Sequence, residues 1–330
     1  MRVEPVAMNW TPNMPIFARE SFLKSVGDRY GWLGGFSEAG EMRCILPYTI
    51  VSKAILRLVR FRVETIACGD GFDVAEEKAF LGAAMRYFKS IGGGVVIPAS
   101  NNAIFRTCPD GADAAPYGTY VIDLRQPEED LWRNMDRILR QNIKSAQKSG
   151  VEIRRGPEYA EGAYPLIRET FGRSKISFMS RDAFRRYVDG LGDNAEVFMA
   201  EYQGMPQSYV VFAFSEYCAY AIYAGNILGQ HQGANKLLYW EAIRHFRSLG
   251  VCRYDFMGAR VNPEKGSKQE ALALFKKRFG ATLKEGYIWR YPLRPWKYRL
   301  YRLAARLRSG GDIVDAERHK LTGPRTGETA

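Results

Sequence analysis

The chain is poor in the residues that build metal and disulfide centres. Its five cysteines, Cys44, Cys68, Cys108, Cys218 and Cys252, are scattered with no C-x-x-C pair. That spacing excludes a zinc ribbon or a redox dithiol and reads as reduced core thiols. The three histidines, His231, His245 and His319, have no neighbouring ligand at metal-binding spacing, so no metal is expected. Long apolar runs are also missing. The longest, Tyr209 to Gly225, is broken by Ser215 and Glu216 and rich in β-formers, which predicts paired strands rather than a membrane span. At the N-terminus Glu4, and no apolar stretch after Arg2, argue against a secretory signal peptide. A soluble, cytoplasmic protein is expected. No Ser, Cys or Lys stands in a motif with an adjacent base, so a covalent nucleophile is not indicated.

What is present is positive charge and apolar bulk. Lys and Arg number 48 against 36 Asp and Glu, a formal net charge of +12. The partner is therefore expected to be anionic: nucleic acid, phospholipid headgroups or a phosphorylated substrate. With 330 residues, 46% of them hydrophobic, the chain can bury a large core divided into about two domains.

A short repeat supports that division. Ala84-Met85-Arg86-Tyr87-Phe88-Lys89-Ser90-Ile91-Gly92 returns 158 positions later as Ala242-Ile243-Arg244-His245-Phe246-Arg247-Ser248-Leu249-Gly250, with five of nine positions identical. Each copy closes a helix and opens a strand. Two copies of one α/β unit account for this, and so does a recurrent helix-Gly-strand junction.

The element order can be read in outline. A hairpin is predicted over Tyr30 to Phe36 and Arg43 to Val51, then a helix from Asp73, a strand at Val95 to Ile97 and another at Thr119 to Leu124. Glu128 to Ser149 reads as one long helix ended by Gly150, whose cations Arg137, Arg140, Lys144 and Lys148 are either a solvated face or phosphate-facing. The second half reads as strands at Ala195 to Tyr202, Gln207 to Phe214 and Tyr217 to Ala224, helix Asn235 to Leu249, strand Val251 to Met257, helix Lys268 to Phe279 and strand Ala281 to Trp289. Mixed sheets flanked by helices make the fold class α+β.

From Tyr291 to Arg308 there are six Arg or Lys residues and no acid, while Trp296, Leu300, Leu303 and Leu307 fall at helical spacing. Such a basic amphipathic helix lies on an anionic membrane surface or against RNA. Alternatively it docks Trp296 and the leucines on the core and leaves a solvated basic back. Beyond Gly310 the tail is polar and is expected to be disordered.

The stretch Gln230-His231-Gln232-Gly233-Ala234-Asn235 lies between a strand and a helix, where backbone N–H groups and the helix dipole favour an anion. It approximates the Q/R-x-x-G-x-G/A loop with which acetyltransferases cradle coenzyme A pyrophosphate, with Asn235 in place of the last small residue.

Four runs, Tyr223-Ala224-Gly225-Asn226, Gly233 to Ile243, Tyr254-Asp255-Phe256-Met257-Gly258-Ala259 and Phe275-Lys276-Lys277-Arg278-Phe279-Gly280, together resemble the Fem family. These are peptidyltransferases that add amino acids from aminoacyl-tRNA to the lipid-linked peptidoglycan precursor. Leu131-Trp132 followed by the basic stretch Arg140 to Val151 is similar to the same family, so the resemblance spans about residues 119 to 290. It extends to the related acetyltransferase-like (GNAT) group.

The resemblance implies tandem acetyltransferase-like domains, drawn here as 1–158 and 159–292, then the basic helix at 293–310 and the disordered tail at 311–330. It implies catalytic roles for Phe275 and Lys276, the Lys276 ammonium stabilising the tetrahedral oxyanion as a substrate amine attacks the aminoacyl ester. The bland alternative for Lys276 is a solvated position on a basic helix. Substrate contacts are expected from Tyr223, Gln230, Gly233, Asn235 and Asp255. Asp255 either accepts the amine proton or bonds the following loop, and Tyr223 either faces substrate or belongs to the core. Expected partners are aminoacyl-tRNA and a lipid-linked precursor at the inner membrane surface, with peripheral contact through the Trp296 and Arg299 helix. No cofactor is expected, the alternative being a coenzyme A thioester as acyl donor to an envelope sugar or exopolysaccharide precursor. A chain that keeps the fold as a basic RNA- or membrane-binding scaffold is the non-enzymatic alternative.

Overall fold

The two helices that carry the repeated segment occupy the same place in two strand orders. The computed structural model describes residues 1–309 and 311–322. In chain order the first elements are β1 (Arg2–Val6), α1 (Glu20–Val26), β2 (Arg29–Phe36), β3 (Met42–Lys53), β4 (Leu56–Phe61), β5 (Ile66–Ala67), α2 (Val74–Ser90), β6 (Val95–Val96) and β7 (Asp113–Asp123). Next come α3 (Glu128–Arg133), α4 (Arg137–Lys148), β8 (Glu152–Arg155), α5 (Ala160–Arg173), α6 (Arg181–Leu191), β9 (Ala195–Tyr202), β10 (Met205–Phe214) and β11 (Ala219–Asn226). They are followed by α7 (Ala234–Ser248), β12 (Arg253–Asp255), α8 (Lys268–Arg278), β13 (Thr282–Arg290), α9 (Pro295–Ser309) and α10 (Ile313–Thr322).

In one compact unit, β2, β3 and β4 run antiparallel, α2 follows, and β6 returns parallel to β4 with Leu58 opposite Val95. In the other, β9, β10 and β11 run antiparallel, α7 follows, and β12 returns parallel to β11 with Ala219 opposite Tyr254. The two helices end alike. Gly92 (φ +83°) and Gly250 (φ +77°) take the left-handed conformation that a side chain resists. The residue after each glycine donates back to the helix, Gly93 N to Phe88 O at 2.8 Å and Val251 N to Phe246 O at 3.1 Å. Phe88 and Phe246 are repeat counterparts, and both are fully buried. Burying a phenylalanine contributes about 1.5–3 kcal/mol, so the repeat conserves a helix stop and a core anchor together. A capping box of Asp73 and Glu76 starts α2.

The units are not consecutive halves. The first comprises 1–8, 27–118 and 285–330, the second 9–26 and 119–284. The expected boundary after residue 158 instead falls inside the second unit, where β8 pairs with β9 and α4 packs on α7. The last residues of β13 and the segment just after it serve the first unit: Tyr287 bridges to Phe105 and Tyr291 to Val96, and Trp289 joins the core of Phe61, Phe80, Phe88 and Phe105. The second core gathers Tyr120, Leu139, Phe212, Trp240, Phe246 and Tyr254. Its sheet runs β13-β7-β12-β11-β10-β9-β8.

Three further sequence expectations change. The single helix over 128–149 is two, because Asp136 caps α4 by accepting from the amides of Ile138 and Leu139. Residues 313–322, expected disordered, form α10, whose Val314 is fully buried; 323–330 lie outside the described residues. The scattered thiols are not all core residues: Cys44 and Cys218 are buried, Cys68 and Cys108 half-buried, and Cys252 exposed. Among the described residues no helix is long and apolar enough to cross a membrane.

Candidate functional site

Lys276 sits in the last turn of α8, and its ammonium reaches back to the turn that follows β12. It donates to the carbonyl oxygens of Met257 and Gly258, the latter at 2.6 Å. Both carbonyls point toward it because Met257 (φ +54°) and Gly258 (φ +46°) adopt left-handed backbone, which is costly for a non-glycine residue. The turn is pinned from one side chain. Asp255, 5% exposed, accepts at Oδ1 from the Met257 amide at 2.6 Å and from the Thr119 hydroxyl. An ammonium has three donors, and the two carbonyls occupy two of them.

The electrostatics of this corner suit a reactive group. Burial of the ammonium end lowers the Lys276 pKa to about 8, and the nearby Asp255 carboxylate works against that shift. Half-buried and bonded to two carbonyls, Lys276 differs from the freely solvated lysine of the bland alternative. Phe275, its neighbour, is half-buried and packs among Tyr239 (5.3 Å between centroids) and Phe279 (5.2 Å). The cluster fixes the end of α8 against α7 and β12.

Asp255 takes the loop-bonding place, since Oδ1 already receives two donors that shape the turn. Tyr223 stands in a separate aromatic group with Phe171, Phe178, Phe184 and Tyr187. It lies on β11 beyond Tyr220, where the pairing with β12 stops after two residue pairs. From there β11 continues to Asn226 while β12 has ended, so two parallel neighbours part company next to the Asp255 turn.

The Gln230 to Asn235 loop precedes α7. Gly233 is buried at the helix start, and a Cβ there would lie 2.3 Å from the Asn142 carbonyl oxygen and 2.7 Å from the Ala146 Cβ. The glycine thus admits α4 to the loop. Gln230 and Asn235 are half-buried, and the Gln230 Oε1 atom is enclosed with no hydrogen-bond partner. Lys236, in the first turn of α7, has its pKa lowered by burial and by Arg278. The structure therefore brings Phe275, Lys276 and Asp255 together, sets Gln230, Gly233 and Asn235 at the α7 start, and places Tyr223 apart. Sequence reading missed Thr119, Met257, Gly258 and Lys236. Only the glycine of Met257-Gly258 signals the turn, because backbone carbonyls leave no trace in residue type.

The FemAB family matches residues 105–204 of this chain. Among solved structures the chain is similar to the crystal structure of FemX, with a TM-score of 0.66 and 15% identity over 91% of this chain and 99% of that one. It is also similar to the C-terminal domain (DUF2156) of a putative lysylphosphatidylglycerol synthetase from Agrobacterium fabrum, with a TM-score of 0.53 and 12% identity over 88% and 93% of the two chains. No curated protein matches. At these identities the structural likenesses establish the fold, and the α+β reading with two mixed sheets flanked by helices stands. The expected resemblance to the Fem family is matched by the family model over residues 105–204.

Proposed function

We propose that this FemAB-type chain moves an amino acid from aminoacyl-tRNA to an amine of a lipid-linked peptidoglycan precursor. The observation that carries the reading is the Lys276 ammonium, held by two carbonyls with one N–H left over. The acceptor amine attacks the ester carbonyl carbon, and the carbonyl oxygen becomes an oxyanion that receives the remaining N–H of Lys276. The intermediate then collapses, the ester C–O bond breaks, and the proton lost by the amine ends on the departing ribose hydroxyl. A preorganised donor at such an oxyanion typically contributes about 2.7–4 kcal/mol. Phe275 and its aromatic neighbours position the helix that carries the lysine, and Asp255 positions the turn.

Tyr223, at the parting of β11 and β12, lines the acceptor side in this reading, and the basic surface draws in the tRNA phosphates. The protein works in the cytoplasm at the inner face of the cell membrane, with peripheral contact through the helix that bears Trp296 and Arg299. A coenzyme A thioester is the alternative donor, for an N-acyltransferase acting on an envelope sugar or exopolysaccharide precursor. It is favoured by the cationic Lys236 at the α7 start, and disfavoured by Gly233, whose open side is filled by α4 rather than kept for a pyrophosphate.

Labelled aminoacyl-tRNA or labelled acyl-CoA, offered with lipid-linked precursors, decides between the donors. Label from tRNA entering the lipid fraction with wild type and not with Lys276→Ala supports the reading. Transfer from acyl-CoA alone replaces it with the alternative, and transfer from neither donor defeats both.

A further inference from the structure

The sequence leaves open which side of the basic helix faces the protein, and the structure settles it in an unusual sense. The inward side of α9 is polar and aromatic. The Tyr298 hydroxyl donates to Asp113 and receives a hydrogen bond from the Arg290 guanidinium, and the Tyr301 hydroxyl donates to Asp312 at 2.8 Å. The outward side is the apolar one: Trp296 is 54% exposed, Leu300 41%, Leu303 56% and Leu307 81%. These four stand at intervals of four, three and four residues and form one continuous stripe.

Cations border that stripe. Arg299 and Arg306 are exposed, and among the described residues neither has an ion pair. Lys297 lies on the other flank with its ammonium 5.3 Å from the Trp296 ring centroid. No acid occurs between Tyr291 and Arg308. The nearest acids in sequence, Asp312 and Asp315, are engaged by Arg290. A helix fastened through tyrosines, with tryptophan and leucines turned to water and cations along the edges, has the pattern of a helix that lies in a bilayer interface.

We infer that the outward face of α9 is a docking surface for an anionic phospholipid membrane. Leu300, Leu303 and Leu307 enter the acyl boundary, Trp296 sits at headgroup level, and Arg299, Arg306 and Lys297 meet lipid phosphates. Charge complementarity selects this occupant over a second copy of the chain, whose identical basic rims would repel. An RNA is disfavoured because its phosphates have no use for four exposed apolar side chains. The inference sharpens the membrane placement proposed above, yet it is read without donor or acceptor, so its failure leaves the transfer reaction standing and the reverse also holds.

The test is co-sedimentation of the full chain with vesicles of phosphatidylcholine alone or mixed with phosphatidylglycerol, for wild type, Leu303→Ser/Leu307→Ser and Arg299→Glu/Arg306→Glu. All four positions are exposed, and circular dichroism checks that the variants fold. Wild type is expected to partition onto the anionic vesicles and to lose binding in high salt, with each double variant weakened about tenfold or more. Absence of wild-type binding, or equal binding by all three proteins, overturns the inference. So does a leucine variant that changes a dimer to a monomer in solution without affecting vesicles, or an arginine variant that loses only tRNA binding.

Discussion

The Met257 amide donates to Oδ1 of Asp255 at 2.6 Å, and this bond turns two carbonyls toward the Lys276 ammonium. Asp255→Ala removes the anchor and is expected to lower kcat by about a hundredfold, the scale of a misplaced catalytic group, with little change in KM. Asp255→Asn keeps an acceptor oxygen but removes a charge that raises the Lys276 pKa. Its activity is expected to decline at lower pH than that of wild type. Unchanged pH profiles in both variants would remove Asp255 from the positioning of the site.

Lys276 itself sets the sign of the pH dependence. With a pKa lowered to about 8 by burial, the ammonium is present below that pH and lost above it. Transfer that needs the ammonium falls as pH rises through 8. Lys276→Ala is expected to lose about 10²–10³ in kcat, the usual cost of deleting an oxyanion donor. Lys276→Arg, charged at every accessible pH, abolishes the basic limb in whatever activity remains. A wild-type profile flat from pH 7 to 10 contradicts this role.

Sequence alone carries the helices and strands whose signals are local. The α2 and α7 boundaries follow from Asp73, Gly92 and Gly250, and the β2-β3 hairpin from its alternation. What escaped it depends on distant partners. The break at Asp136 is fixed by a capping side chain in the middle of an apolar pattern, and the assignment of residues 285–291 to the first unit depends on Val96 and Phe105 nearly two hundred residues earlier. Phe275 and Lys276 were found through motif resemblance. Their carbonyl partners were not, since any residue type supplies a carbonyl.

Arg290 is 1% exposed, with Asp113, Asp312 and Asp315 within ion-pair distance. Arg290→Met takes this cation from Asp312 and Asp315 and leaves Asp113 with Arg318 alone, and it is expected to destabilise the first unit by about 3–5 kcal/mol, read by denaturant unfolding. Asp315 is held below its ordinary pKa, first by its hydrogen bonds to Arg290. The folded carboxylate thus takes its proton at lower pH than the unfolded one. Its contribution is complete above the unfolded value of 3.8 and is lost as pH falls through the lower folded value. Acid should expose α10 to protease in that window, and in Arg290→Met already at neutral pH.

Two glycines in helical surroundings should respond oppositely to alanine. Gly233→Ala places a methyl 2.3 Å from the Asn142 carbonyl oxygen and is expected to cost about 1–3 kcal/mol by overpacking. Gly82, inside α2, has nothing within 4 Å of the Cβ position, so Gly82→Ala should stabilise by about 0.8–1 kcal/mol through helix propensity. Melting temperatures that move the same way in both variants would contradict these environments.

The interleaved order of the two units also has a consequence in time. A ribosome releases β1 to β6 early, but Trp289, which completes their core, emerges only after the whole of the second unit has been made. The first sheet must therefore wait with an open flank, its Phe61 and Phe105 uncovered, while later residues fold. Neither half of the reading frame encodes a self-sufficient body, so a nascent chain arrested before residue 285 presents that flank to chaperones.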